Sequence, residues 1–139
     1  MVEDTRLQEK ILTYRIIEAR IESLLKQREA LGLKLMEIDT TLNGIDEIEK
    51  TEGEALFSLG SETYFFGKVL DKKRMIVEIG ADIALEKTFE EGRQILKERK
   101  GEIENLIDNL ESNVVQLSSG LQEMESQINE MVGRGKEVS

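Results

Sequence analysis

Three stretches of the chain combine residue types and spacings that can do chemistry. In GSETYFFGKV, Gly60 to Val69, a glycine precedes a Gly-Lys pair as it does in a phosphate-binding loop. That loop needs four residues between its glycines and a Ser or Thr after the Lys to hold Mg²⁺. Here six residues separate Gly60 from Gly67, and Val69 follows Lys68, so the nucleotide reading fails on spacing. The carboxylate pairs Asp46-Glu47 and Glu90-Glu91 could serve as an acid/base couple or as Ca²⁺ ligands. No Asp-x-Asp-x-Asp-Gly loop gathers them, and a helical register puts them on solvated faces. The basic run Lys72-Lys73-Arg74 sits between two apolar segments and reads as a turn rather than a nucleic-acid site. The chain has neither His nor Cys, which removes the imidazole proton shuttle, the thiol nucleophile and the soft metal ligands together. No catalytic, cofactor or metal site is expected, and no enzyme.

The elements that carry these stretches point elsewhere. Charged residues make up 35% of the 139 and aromatics only 4%, a balance suited to long helices with narrow apolar stripes. The length predicts one domain or one extended subunit. A net charge of −10 repels phosphate backbones and anionic headgroups, so neither nucleic acid nor membrane is an expected partner. Uncharged runs are far too short to span a bilayer and the acidic start does not suit a signal peptide, so the expected location is the cytoplasm.

In the first third, apolar residues recur at alternating steps of three and four: Tyr14, Ile17, Ile21, Leu24, Leu31, Leu35, Ile38, Leu42 and Ile45, with Arg28 in one slot. Extending the register back adds Lys10 and Leu7, and the run is long enough to favour a coiled coil over an ordinary surface helix. Thr5 and Gln8 stand at capping-box spacing at its start, and Gly44 and Gly53 are candidate breakers at its end. The last third repeats the pattern without a gap: Ile103, Ile107, Leu110, Val114, Leu117, Leu121, Met124, Ile128 and Met131. Thr88 and Glu91 have capping-box spacing before it, and Gly133 and Gly135 can end it. The expected helices are 5–48 and 88–132. Heptads alone also fit a parallel dimer; a compact insert makes an antiparallel pair within one chain the more economical solution.

The insert, 54–87, reads as four strands: Ala55 to Leu59, Thr63 to Leu70, Met75 to Ile79 and Ile83 to Glu86, joined by short turns into two β-hairpins. Alternation puts Phe57 and Leu59 on one face of the first strand and Met75, Val77 and Ile79 on one face of the third. So thin a layer cannot bury its apolar face or pair its edges alone. The strands are therefore expected to be an assembly device that closes with copies from other subunits, through Phe57, Leu59, Phe65, Met75, Val77, Ile79, Ile83 and Leu85. The expected fold class is α+β: an antiparallel two-helix coiled coil with two inserted hairpins assembling into an intersubunit β-barrel.

At the open ends of the helix pair the chain offers Val2, Leu7, Ile11 and Leu12 from one arm and Leu121, Met124, Ile128, Met131 and Val132 from the other. Two readings stay open. These residues pack together, or the tips expose adaptable, partly Met-based surface for many partners.

The layout of helix, two hairpins and helix resembles the α-class subunit of prefoldin. The resemblance is carried by ALFSLGSETYFFGKV and MIVEIGADIALEKTFEEGRQILKER, covering Leu56 to about Arg99, while the arms match in heptad style alone. Where the family usually reads VPxG before the first turn, this chain reads FSLG with Ser58 in the proline's place, and Glu62 and Asp82 stand where glycine is common. The resemblance implies an ATP-independent chaperone in which two such subunits and four smaller β-class subunits close a double β-barrel. It also implies that coiled-coil tips capture unfolded proteins and deliver them to a group II chaperonin. A filament-forming or scaffolding prefoldin-like protein is the alternative.

Overall fold

The computed structural model describes residues 2–138. In chain order the elements are helix α1 (Val2–Lys50), strands β1 (Glu54–Gly60), β2 (Thr63–Lys68), β3 (Arg74–Gly80) and β4 (Ile83–Thr88), and helix α2 (Phe89–Val138). β1 pairs with β2 and β3 with β4, both antiparallel, as two separate two-stranded sheets. The chain divides into two compact units, one of residues 1–33 with 104–139 and the other of residues 34–103.

In the first unit the two helices run antiparallel. Ile11 and Tyr14 line a groove with Glu125 and Ile128, and further along Arg28 bonds Glu111 at 2.6 Å. The seam residues are half-buried along its length, and Leu24 alone among them is buried. Two helices cover each other on one side only, so such a seam shields its stripe without enclosing it.

The second unit holds the thicker core. Its helical segments are also antiparallel, with Lys100 bonded to Asp39 at 2.7 Å and Arg93 to Asp46 at 2.9 Å. Ile45, Val77 and Phe89 are buried. The side chain of Met75 lies against Gly92, where even a Cβ would collide with the sulfur, so the second hairpin is seated on α2 through a residue with no side chain.

The helix ends differ from the heptad reading in instructive ways. α1 starts at Val2, which places Thr5 inside the helix rather than at its cap, and Gly44 does not break it. The last turn closes through Thr51 N–H to Ile48 O at 3.2 Å, and the chain leaves through Gly53 with φ +65°. A glycine facing open space costs an otherwise good helix only about 1 kcal/mol, too little to stop one whose seam continues. The same holds for Gly133 and Gly135, which lie within α2. At the start of α2 the expected reciprocal cap is present: Glu91 N–H donates to Thr88 Oγ1 and Thr88 N–H donates to the Glu91 carboxylate, each at 3.1 Å. The Thr88 N–H bond, first among several causes, holds the Glu91 carboxyl below its ordinary value of 4.5.

The two hairpins superpose in sequence at an offset of 20 residues, Glu54 to Arg74 and Gly60 to Gly80. Each carries a bulge before its turn, at Leu59 and at Ile79, where the register shifts. Each turn forces two non-glycine residues to positive φ: Ser61 and Glu62 at 49° and 61°, Ala81 and Asp82 at 48° and 60°. Two-residue hairpin turns of this hand favour Asn-Gly because side chains oppose it.

Two outcomes are expected. Glu62→Gly combined with Asp82→Gly should raise thermal stability by roughly 0.5–1 kcal/mol per site as the strain is relieved, read from the shift in melting temperature. A carboxyl whose folded pKa is depressed contributes stability above its unfolded value and loses it as pH falls through the folded one. Acidification below 4.5, the ordinary glutamate value, should therefore loosen the start of α2, and Thr88→Ala should flatten that pH dependence in circular dichroism melts.

Candidate interaction surfaces

The stretches with chemical residue types serve structure. Gly67 lies in β2 opposite Ala55, and a Cβ there would press on the ring of Phe57 at 3.2 Å; the glycine makes room for an aromatic ring. Asp71 accepts from Lys73 N–H at 2.7 Å and from Arg74 Nε at 2.9 Å, Arg74 also bonds Glu86 at 2.7 Å, and Lys72 Nζ donates to the Glu49 carbonyl at 3.2 Å. The Lys73 N–H bond is the largest of the influences that hold the Asp71 carboxyl below its ordinary range. The basic run thus ties the link between hairpins to the end of α1, where a cation suits the exposed carbonyls. Among the described residues no His, Cys, Asp and Glu group is arranged to hold a metal ion.

Arg93 is the electrostatic centre of the second unit. Its guanidinium meets Asp46 at 2.9 Å, Glu49 at 2.5 Å and Glu90 at 3.4 Å, with its side chain only 16% exposed. The hydrogen bond it donates to Glu49, chief among the causes, pushes its pKa up, so the clamp between the two helices is permanently charged. Arg99 reaches the Glu78 carbonyl from α2 and so ties β3 to the same helix.

The residues expected at a subunit interface divide into two sets. Met75 and Val77 belong to the chain's own core, beside a groove of about 440 Å³ walled by Ile45, Ile48, Phe89 and Leu96. β3 has helices beneath it and rests its inner face on them, Val77 buried and Met75 half-buried. Leu59, Phe65, Ile79, Ile83 and Leu85 are exposed, and Phe57 is half-buried with its ring stacked on Phe65 at 5.5 Å between centroids. The bulges matter here, since Leu59 and Ile79 are the unpaired extra residues rather than the next members of the alternating faces.

Sequence reasoning missed the other face of the first hairpin. Leu56 pairs with Phe66 and Ser58 with Tyr64 on the side opposite Phe57, and Leu56, Tyr64 and Phe66 are exposed, Phe66 at 73%. The β1-β2 ribbon therefore shows apolar groups on both faces. Leu70 in the link to β3 is 99% exposed. The signal was present in the sequence as an aromatic run without alternation, Tyr64-Phe65-Phe66, which marks a strand covered on two sides. Patches of this kind mark protein-protein contact.

At the other unit, Leu7, Ile11, Leu121, Met124, Ile128 and Met131 are half-buried in the seam, whereas Val2, Leu12 and Val132 are exposed. The groove of about 310 Å³ between Ile11, Tyr14, Glu125 and Ile128 is amphipathic. Loss of water, foremost, and the Glu125 and Glu18 carboxylates push the Tyr14 hydroxyl pKa up, so the phenol stays neutral.

Phe89→Ala should lower the chain's stability by roughly 3–5 kcal/mol, as for other buried aromatics, while Phe66→Ser should leave the unassembled chain nearly unchanged and reduce its assembly. Urea denaturation read beside sedimentation separates the two effects.

The chain matches known proteins over most of its length. The family described as "Prefoldin subunit" matches residues 17–134. Prefoldin subunit alpha of Pyrococcus horikoshii is 27% identical over 142 aligned positions, covering 99% of this chain and 91% of that protein. Prefoldin subunit alpha of Archaeoglobus fulgidus is 29% identical over 132, covering 92% and 95%. Among solved structures, the fold is shared with filamentous PFD from Methanocaldococcus jannaschii, with TM-score 0.70 and 18% identity over 86% of this chain and 98% of that one. It is also shared with the prefoldin beta subunit from Thermococcus strain KS-1, with TM-score 0.63 and 19% identity over 90% of each chain. With two antiparallel helices, two inserted hairpins and this match over most of its length, the chain belongs to the prefoldin family.

Proposed function

We propose that the whole chain, 1–139, acts as an α-class subunit of an ATP-independent chaperone in the cytoplasm. It assembles through its hairpins with β-class prefoldin subunits, two copies with four, and takes hold of unfolded proteins with the ends of its helix pair for delivery to a group II chaperonin. The observation that carries this reading is the β1-β2 ribbon with Phe65 on one face and Leu56, Tyr64 and Phe66 on the other, all exposed. A two-stranded ribbon is marginal by itself, and closing it with other subunits covers both faces and pairs its free edges.

Capture needs no nucleotide in this scheme. An unfolded chain loses exposed apolar area against several weak surfaces at once, and their sum holds it through multivalency while each contact can open by itself. Leu12 and Val132 are exposed for this role, and Met124 and Met131 in the seam can repack around varied side chains. The net charge of −10 keeps such surface soluble and favours basic segments of clients or chaperonin.

The filament reading has one specific support, the shared fold with a filamentous prefoldin. The same ribbon edges can continue from chain to chain instead of closing. Native mass spectrometry of the complex recovered through this chain distinguishes the two, since a discrete six-subunit particle supports closure and an open ladder of masses supports the filament. Removing residues 1–13 together with 119–139 should leave assembly intact and abolish suppression of client aggregation, and retained suppression would move the client site elsewhere. Ile79→Asp should do the reverse and break assembly by placing a charge where a partner must cover the bulge.

A further inference from the structure

α1 carries a second stripe on the side opposite its seam. Leu12, Ile16, Ala19, Ser23, Ala30 and Leu33 follow one another at helical spacing, interrupted once by Lys26, and all are exposed: Leu12 and Ile16 at 60% and Leu33 at 64%. The corresponding heptad position of α2 is polar throughout, with Asn105, Ser112, Ser119 and Ser126. A helix apolar on two opposite sides is a helix with a second packing partner. The stripe lies wholly within the unit of residues 1–33 and 104–139.

We infer that this stripe docks against the same stripe of a second copy of the chain, the two α1 helices antiparallel about a two-fold axis between Glu22 and Ser23. The pattern is self-complementary about that point, as an isologous contact requires. Leu12 comes opposite Leu33 of the second copy, Ile16 beside Ala30, and Ala19 beneath the aliphatic stem of Lys26. The small residues Ala19, Ser23 and Ala30 let the helices approach at the centre. At the axis Glu22 faces its own copy, each held by Lys26 of its own chain at 3.6 Å, and the charges on either side of it agree with this register. Arg15 and Glu29 stand on the same edge of the stripe, both exposed, and among the described residues neither has an ion-pair partner in its own chain. In the antiparallel arrangement each comes within one residue of the other's counterpart, giving two opposite-charge contacts. Three large and three small side chains per copy cover less than the 1,200 Å² or more typical of stable interfaces, so the contact is weak, reversible and dependent on concentration. Leu12 is shared with the proposed client surface, and the other residues of the stripe are not.

The chain has no Cys, so a single introduced thiol reports on contact between copies alone. In the full-length assembled protein, Ser23→Cys sits at the two-fold axis and Ser119→Cys on the polar back of α2. Under mild oxidation Ser23→Cys should form linked dimers at least about tenfold faster than Ser119→Cys, because docking raises the local thiol concentration. Adding Arg15→Glu should remove that advantage, and Arg15→Glu with Glu29→Arg should restore it. Equal linking rates for the two thiols would overturn the proposal, as would a charge exchange without rescue. If instead Ile16→Asp abolishes client binding while the linking rates are equal, the occupant of the stripe is an unfolded client and not a second copy.

Discussion

A pair of helices can hide only one stripe of each partner, and this limit governs the rest of the molecule. From Leu7 to Leu42 on one side and from Ile103 to Met131 on the other, seam residues are mostly half-buried. At about 25 cal/mol per Å² of apolar area removed from water, half-burial leaves each large side chain with a substantial driving force still unspent. What the seam cannot finish must be finished by something placed against it. In the second unit that is the β3-β4 hairpin, whose Met75 and Val77 complete a core with Ile45 and Phe89. Arg93, bridging Asp46, Glu49 and Glu90, fixes the helix ends on which that hairpin rests.

The two hairpins share their length, bulge and turn, yet differ in what covers them. β3-β4 has small Ala84 and the polar pair Arg74 and Glu86 on its outer face, with Ile76 as the exposed exception, and seats its inner face on α2 over Gly92. β1-β2 has aromatic residues on both faces and packs Phe57 on Phe65 within itself. One hairpin packs its inner face on the chain's own helices, with Ile79 and Ile83 left exposed at its turn, and the other exposes apolar groups on both faces. The strained turns fit this picture, because residues such as Ser61 and Glu62 persist at positive φ only where the surrounding pairing determines them.

The heptads, the capping box at Thr88 and Glu91, and the order of the strands were legible in the sequence because each rests on local periodicity or on a reciprocal pair of side chains. The helix ends were less so: Thr5, Gly44 and Gly133 are boundary signals that a continuing seam overrides at small cost. Facing was misread where a bulge intervened, since strict alternation puts Ile79 with Val77 and the extra residue breaks that rule. That Met75 and Val77 rest on helices of their own chain is not legible in the pattern, because a strand covered by its own helices and one covered by a neighbour have the same alternation. The outer stripe of α1 was readable all along as a second repeat of seven, Leu12, Ala19 and Leu33. It is concealed when residues are counted against a single seam.

Arg28 shows how so narrow a seam keeps its register. It occupies a position that heptad repetition would give to an apolar residue, and it finds Glu111 at 2.6 Å with both side chains about half exposed. An ion pair so open to water contributes little stability, on the order of 1 kcal/mol or less. Its effect lies in the alternatives. Sliding one helix by a heptad would leave an apolar contact almost as good elsewhere, because Ile, Leu and Val recur at every step. In one direction it would also put Ser118 where Glu111 stands and leave the guanidinium without a carboxylate, whereas the other direction offers Glu104. A single polar residue in an apolar seam thus penalises a wrong pairing more than it rewards the right one. In a chain whose seam encloses almost nothing, that penalty is what a repeating apolar pattern cannot supply by itself.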